Sequence, residues 1–446
     1  MFAQVRGKVV DASDGNTPLV GASVDWAGTS IGVSADDRGN FNIGLVKGYD
    51  KLVAAYVGYE YDTVTVKSPG EVIFSLIPAS VGEVVVSATN RGNYTSLEGI
   101  LKGEVISFSG LTKMACCNLA ESFENSASVT VGYSDAVTGA RQIKMLGLAG
   151  IYTQILDETR LIMRGIGSPY GLGYTPGMWL EGIQLSKGVT SVAGGHEAMA
   201  GQINLEHRKP TDESPLFVNV YADQELRAEL NVSTAHKMTD KLSHIMLAHS
   251  SIKPLRLDQN GDGFMESPTG KQFNISNRFL YVADNGIQMR AGVKYLNDKR
   301  KSGQMDFAPY VSRSDFDPSR PYGSEIVNEN VNGYFKLAIP LGKYVWDNET
   351  QAAERSNLAF ILDYDHFGTD SYFGQLKTYR ANQNLFYLNA MYSWNISSQH
   401  KLVGGLSAVS DNYEEFLEDG QMINPLTLFR NGGERMIRSE NEAGAY

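Results

Sequence analysis

The chain has 446 residues, enough for two or three domains rather than one. Its formal net charge of −11 and isoelectric point of about 5.2 exclude nucleic acid as a partner, because phosphate recognition needs a concentrated basic face. Mean hydropathy is −0.24 and no run of about eighteen apolar residues occurs, which excludes a helical membrane span but not a membrane β-barrel, whose strands are apolar on one side only. The only cysteines are the neighbours Cys116 and Cys117. Disulfide geometry strains a bridge between adjacent residues, so no disulfide framework is expected, and the pair reads as two small buried hydrophobes. The opening "MFAQ" has the small residues of a signal-peptide cleavage region without the apolar core of such a signal.

Residues 5–79 are short strands punctuated by turns: "VRGKVVDA", the turn "SDGNTP", then "GASVDWAG", "ADDRGNFNI", "KLVAAYVGYEYDTVTV" and "GEVIFSLIP". Strands this short, with a turn every ten or so residues, predict a small β-sandwich. It holds no cluster of acid, base and nucleophile. The pattern "GKVVDASDGNTPLVGASV…ADDRGNFNI…VGYE" resembles the carboxypeptidase-regulatory-like β-sandwich, a module that often precedes outer-membrane receptors of Bacteroidetes-type bacteria.

Residues 81–90, "VGEVVVSATN", form a strand-competent segment between two domains. An exposed edge is normally suppressed, and one left open invites another chain's sheet. Residues 95–210 mix helix and strand. "NLAESFENSASVTV" begins with Leu119 and Phe123 at helical spacing and turns into a strand. "RQIKMLGL" and "GIYTQILDET" read as strands around a glycine turn, and "MWLEGIQLSKGVTSVAGGHEAMAGQINLEHRKP" as a helix-turn, a glycine-rich corner and a strand. This last run resembles the plug-domain signature of TonB-dependent outer-membrane receptors, with Lys187-Gly188 closing one strand and Gly201-Gln202-Ile203-Asn204 opening the next. The chain departs from the family where the usual Leu-Asp-Gly is Leu156-Asp157-Glu158 and where the corner lacks Tyr-Gly. The fold reading survives this; a ligand assignment by analogy does not. The resemblance makes 81–90 a TonB box, with Glu83, Val84, Val85, Val86 and Ser87 as its TonB-binding residues.

From 215 to 446 apolar and polar residues alternate with period two. Leu226, Ala228, Leu230 and Val232 oppose Arg227, Glu229, Asn231 and Ser233; Leu358, Phe360, Leu362 and Tyr364 oppose Ala359, Ile361, Asp363 and Asp365. Either a soluble sandwich or a membrane barrel fits a single such strand. Short connections, "KMTDK" and "ADNG", alternate with long ones, "KPLRLDQNGDGFMESPTGKQ" and the stretch 297–328, the asymmetry of outer-membrane barrels. "PLGKYVWDNETQAAERS" breaks the rule as a long connection on the short side. About ten strands of roughly 9–11 residues are expected. The family's barrel needs about twenty-two, so the resemblance implies a chain that stops within the barrel at Tyr446 and closes no pore. The predicted fold is mainly β: a small β-sandwich, an α+β plug domain and the first part of an antiparallel transmembrane β-barrel.

The stretch 164–177, "RGIGSPYGLGYTPG", is rich in glycine and aromatics. By the resemblance it faces the extracellular vestibule, with Arg164, Tyr170 and Tyr174 as substrate contacts; a glycine turn packed on the barrel wall is the alternative. "DQNGDGFME" sets Asp258, Asn260 and Asp262 at alternate positions before Gly263, with the Phe264 carbonyl and Glu266 following, as in a calcium loop. Position 12 is Thr269, which removes the bidentate glutamate and predicts weak binding; a plain hairpin tip gives the same spacing. His196, Glu197 and His207 match no helical zinc motif and read as hydrogen-bonded or solvated. Lys299, Arg300 and Lys301 read as a solvated loop or as an anion patch. No Ser-His-Asp set, P-loop or paired-carboxylate motif occurs, so no enzymatic activity is expected.

The resemblance implies energy-coupled import at the cell outer membrane. The implied partners are TonB with its inner-membrane energising complex, an extracellular small ligand and outer-membrane lipid. An iron siderophore or similar metal chelate is the expected substrate. Cobalamin, copper or glycan import and a secreted β-rich adhesin are the alternatives.

Overall fold

The computed structural model describes residues 4–12, 17–27, 29, 31–46, 48–56, 59, 61–66, 68–76, 93–96, 103–113, 118–123, 126, 128–135, 137–188, 190, 197–211, 215–309, 319–347, 352–374, 377–397, 400–419 and 434–446. They fall into two compact units, Met1–Ala88 and Thr89–Tyr446. The proposed TonB box at 81–90, with Glu83, Val84, Val85, Val86 and Ser87, lies outside the described residues, as do Cys116, Cys117 and His196.

The first unit is a two-layer sandwich of β1 (Gln4–Asp11), β2 (Ser23–Trp26), β3 (Gly32–Ser34), β4 (Asn40–Gly44), β5 (Lys51–Ala55), β6 (Asp62–Thr65) and β7 (Glu71–Leu76). One sheet runs β4-β1-β7 and the other β3-β2-β5-β6. Period-two alternation turns Val5 and Val9 of β1 and Phe41 and Ile43 of β4 inward, where they meet Val24, Trp26, Leu52, Phe74 and Leu76. Trp26 is wholly buried and satisfies its indole by donating from Nε1 to the Gly44 carbonyl at 2.9 Å. The sequence "DDRGN" is a side-chain-capped turn. Asp36 Oδ1 accepts from the backbone N–H of Arg38 (2.9 Å) and Asn40 (2.8 Å), and Gly39 takes the left-handed φ of 76° that closes it.

The second unit opens with an α+β domain. Its elements are β8 (Asn93–Ser96), β9 (Gly103–Ser107), α1 (Phe108–Lys113), α2 (Leu119–Ser122), β10 (Thr130–Asp135), β11 (Ala140–Met145), β12 (Leu148–Ala149), β13 (Thr153–Asp157), β14 (Arg160–Leu161), α3 (Ser168–Gly171), β15 (Leu180–Lys187) and β16 (Gly201–His207). A six-stranded sheet, β14-β13-β16-β15-β9-β8, packs Ile106, Leu180, Ile183, Ile203 and Leu205 against Leu111, Leu119 and Phe123 of the short helices. The expected helix-turn at Met178 is one turn of 3-10 helix, after which Leu180 begins a strand. Gly201 explains one fixed letter of the motif "GQIN": a Cβ there would sit 2.5 Å from the Ser186 carbonyl and 2.1 Å from Met145 Sδ. Ile203 fills the core beside it.

Ten strands follow: β17 (Leu216–Ala222), β18 (Ala228–Lys237), β19 (Leu242–Lys253), β20 (Thr269–Val282), β21 (Gln288–Gly303), β22 (Gly323–Asp347), β23 (Ala352–Phe373), β24 (Lys377–Ser397), β25 (His400–Asp419) and β26 (Glu434–Ala445). They pair antiparallel in sequence order, a single meander with β17 and β26 at its edges. The later strands are far longer than a bare membrane span requires: β22 to β25 have 25, 22, 21 and 20 residues. Two sequence readings change accordingly. Lys299, Arg300 and Lys301 are not in a loop but in β21. In the stretch from Pro340, residues 340–347 and 352–356 are strand rather than connection, with a register shift between Leu341 and Val345 where Gly342 takes a φ of 73°.

The faces of this sheet are inverted relative to a water-soluble protein. On β18, Glu229, Asn231 and Ser233 are 5%, 2% and 3% exposed, while Leu230 is 44% exposed. The same inversion runs along the sheet. Asn274, Arg278, Asn332, Asp363 and Asp411 are buried, and Phe273, Val293, Phe335, Leu362, Phe386, Leu388 and Trp394 are exposed. The buried polar face packs on the α+β domain; the apolar face points away from it. A wall apolar outside and polar inside matches hydrocarbon as its outer solvent.

Candidate functional site

The α+β domain meets the wall in two polar regions. The first begins at β13, where Leu156 packs on Ile361, Leu385 and Tyr387 of the wall and the neighbouring Asp157 is buried. A two-residue turn, Glu158-Thr159, joins β13 to β14, and both residues have positive φ, 47° and 69°. That geometry suits Asn-Gly, and for β-branched Thr159 it is strained. Partners from outside the turn hold it. Thr159 N–H donates to Asn204 Oδ1 at 3.0 Å, Glu158 N–H donates to the Leu205 carbonyl at 2.9 Å, and Lys336 Nζ from β22 donates to the Glu158 carbonyl.

Around this turn three carboxylates face three cations. Arg160 bridges Asp157 (2.7 Å) to Asp363 of β23 (2.7 Å) and donates to Asn332 Oδ1 (2.9 Å). Arg278 of β20 pairs with Glu158, donates to the Arg208 carbonyl at 3.0 Å and through Nε to Tyr334 Oη at 3.0 Å. Lys336 lies 3.6 Å from Glu158 Oε2, and the Arg160 guanidinium stacks 3.8 Å above the Tyr334 ring. His207 Nδ1 stands 2.9 Å from Asp157 Oδ1. Burial opposes ionisation of Asp157, but Arg160 and then His207 outweigh it and hold the carboxyl well below the usual carboxylate range. Glu158 is brought down to about 2, burial again being overcome by Arg278 and Lys336. Asp157, Glu158 and His207 are grouped closely enough to ligate a metal. Three fixed positive charges already neutralise the carboxylates, so the cluster is an ion-pair network that fastens the domain to the wall.

The second region lies at the ends of β18 to β21 remote from the short turns 238–241 and 283–287. A polar cavity of about 230 Å³ there is lined by Glu121, Arg141, Tyr170, Arg227, Lys271 and Arg300, among others. Arg227 pairs with Glu121 at 3.0 Å, and Arg300 pairs with Asp298 at 2.6 Å while lying 4.9 Å over the Tyr170 ring. Burial raises the Tyr170 phenol, keeping it a neutral donor on the cavity wall. Such a cavity offers several convergent donors and acceptors to a polar ligand.

The three residues singled out for substrate part company. Tyr170 lines this cavity. Tyr174 is 5% exposed and packs on Leu296 and Phe367; its hydroxyl donates to Asp298 Oδ2 at 3.0 Å and accepts from Asn328 Nδ2. That is the packed-turn alternative, with both sides of the phenol already engaged. Arg164 bridges Glu197 (2.7 Å) and Glu442 of β26 (3.3 Å), away from the cavity. Lys299 and Lys301 share Glu325, at 3.0 and 2.6 Å. In the loop after β19 the carboxylates accept backbone N–H groups. Asp258 Oδ1 takes Gly261 N–H (2.7 Å), Asp258 Oδ2 takes Gly263 N–H (2.9 Å), Asp262 Oδ1 takes Phe264 N–H (2.8 Å) and Glu266 Oε1 takes Gln259 N–H (3.1 Å). Asn260 Oδ1 accepts from Asp262 N–H at 2.9 Å. Sequence reading missed the network of Asp157, Glu158, Arg160, Arg278, Lys336 and Asp363. Its one visible signal was Glu158 in the place of the family's glycine.

Residues 5–86 match the CarboxypepD_reg-like domain family. No curated protein matches the chain. Among solved structures, the ferripyoverdine receptor of the outer membrane of Pseudomonas aeruginosa bound to ferripyoverdine is similar with a TM-score of 0.60 and 14% identity over 87% of this chain and 55% of that one. The siderophore receptor PiuA from Acinetobacter baumannii gives 0.56 and 11% over 78% and 54%. The copper transporter OprC gives 0.53 and 13% over 79% and 60%. The chain spans about half the length of these structures. A CarboxypepD_reg-like domain is thus followed by the fold of the TonB-dependent outer-membrane receptors, a plug set against a barrel wall.

Proposed function

We propose that the chain acts in an outer-membrane receptor that imports a metal chelate, an iron siderophore first, by energy-coupled transport, and that it performs no enzymatic reaction. The observation that carries this reading is a wall apolar on its outer face whose polar inner face is fastened to a plug by buried charge pairs. Such a plug seals the wall until work is done on it. The structures of like fold named above are a ferripyoverdine receptor, a siderophore receptor and a copper transporter, which supports a metal-bearing ligand. A secreted adhesin fits poorly, because it would present the exposed Leu, Phe and Trp side chains to water. Ligand would enter at the polar cavity beside Tyr170 and Arg300. Work would be applied by TonB, adding a strand to the segment Glu83, Val84, Val85, Val86 and Ser87. Calcium at Asp258, Asn260, Asp262, Phe264 and Glu266 is proposed on sequence spacing alone.

The test is Val85→Pro in a full-length receptor carrying this N-terminus. Proline removes a ladder N–H and bends the added strand, so ligand binding should persist while uptake stops. Undiminished uptake overturns the coupling reading. Growth of a deletion strain on defined iron, cobalamin, copper or glycan sources separates the substrate classes.

A further inference from the structure

On the outward face of the wall, at the rim carrying the short turns, β18 and β19 place His236 directly opposite His244. Both alternate with inward residues, Ala235 and Ile245, which are buried against Trp179. The two imidazole rings stand 6.0 Å apart, centre to centre, inclined by 33°. His244 is oriented on two sides. The Phe279 ring packs at 4.7 Å, and Asn277 Oδ1 lies 3.2 Å from Nε2. In the tautomer that donates from Nε2 to this carboxamide oxygen, Nδ1 keeps its lone pair for a metal. An imidazole whose second nitrogen donates to a fixed acceptor is the arrangement found in metal-ligating histidines. His236 is exposed and lies within two residues of the 238–241 turn, so water and ions reach the pair. The nearby charges are compensated: Lys237 faces Asp240 at 3.7 Å, and Lys241 pairs with Asp284.

We propose that His236 and His244 form a two-imidazole site for a divalent transition cation, copper, nickel or zinc, on the short-turn rim of the wall. Imidazole suits these ions, and metal–nitrogen bonds of ~2.0–2.1 Å bridge two rings at this spacing once His236 turns toward its partner. Solvent completes the coordination. The site is separate from the cavity beside Tyr170 and from the Asp157 network, and it does not depend on which ligand the receptor imports.

The experiment titrates the purified full chain in detergent with copper(II) and reads the nitrogen hyperfine pattern by electron paramagnetic resonance. The expected result is one copper with two imidazole nitrogens. His236→Ala and His244→Ala should each weaken binding at least tenfold and remove one nitrogen. Asn277→Leu should weaken it severalfold through loss of the orienting acceptor, and His249→Ala, at an inward position, should leave it unchanged. Far-UV circular dichroism checks that each variant keeps its strands. No copper in the parent chain, or the two-nitrogen signal persisting in both alanine variants, overturns the site and leaves the pair as part of the polar rim against lipid headgroups.

Discussion

Glu158 and Thr159 show how one turn depends on charges supplied from the wall. Removing Arg278 leaves Glu158 buried with Lys336 as its remaining cation. Breaking a buried pair from one side costs roughly 3–5 kcal/mol, so Arg278→Met should loosen the plug by about that amount. Denaturant titration followed by Trp179 fluorescence checks it. Acid acts on the same contacts. The Asp157 and Glu158 carboxyls are depressed in the folded chain, so their stabilisation is complete above the ordinary glutamate range near ~4.3. It is lost as pH falls from there toward the folded value of Glu158, about 2. Plug stability should therefore fall steeply between about pH 4 and 2, and less steeply in Glu158→Gln. Glu158 was visible in the sequence as a departure from a glycine, but its partners were not. Arg278, Lys336 and Asp363 lie more than a hundred residues away, and only strand register aims them at one point. Tyr174 shows the opposite failure: an aromatic in a glycine-rich loop looked like a ligand contact, and burial made it a wall contact.

At the scale of single elements, the long strands carry the account. Alternation made β18 and β23 legible, because period two survives whatever surrounds the strand. Strand length was less legible. β21 and β22 continue through Lys299, Lys301 and the Pro340 region, where cross-strand pairing with Glu325 and a bulge at Gly342 keep charged and proline-bearing sequence in the ladder. Which face meets which solvent could not be read from one strand; burial supplies it. Leu388 of β24 is 45% exposed on the apolar face. In a water-soluble protein Leu388→Arg would be nearly neutral. On a lipid-facing wall it should cost roughly 2–4 kcal/mol and sharply reduce membrane-assembled protein, measured as the heat-modifiable fraction in outer-membrane preparations.

In the whole molecule the sandwich, the plug and the wall were all legible in chain order, because turn spacing, helix-to-strand mixing and alternation are each local signals. The joining of plug to wall was not, since it rests on side chains brought together from distant strands. Asp284, in the short turn before β21, and Gln259, in the loop after β19, are both exposed and lie beyond opposite ends of the wall strands, so cysteines placed there in a background lacking Cys116 and Cys117 should label from opposite sides of the membrane, with the short turn at Asp284 on the periplasmic side. Surface labelling at Asp284 would invert the proposed orientation. The central claim, a wall whose apolar face meets lipid while its polar face holds a plug, has a direct optical test. Trp394 is 48% exposed on the apolar face and Trp179 is 1% exposed between plug and wall. With Trp26 and Trp346 replaced by Phe, variants retaining Trp394 or Trp179 alone are reconstituted with lipids brominated along the acyl chain. The account predicts strong quenching of Trp394 and little of Trp179; an unquenched Trp394 in a chain that stays monomeric without detergent would contradict it.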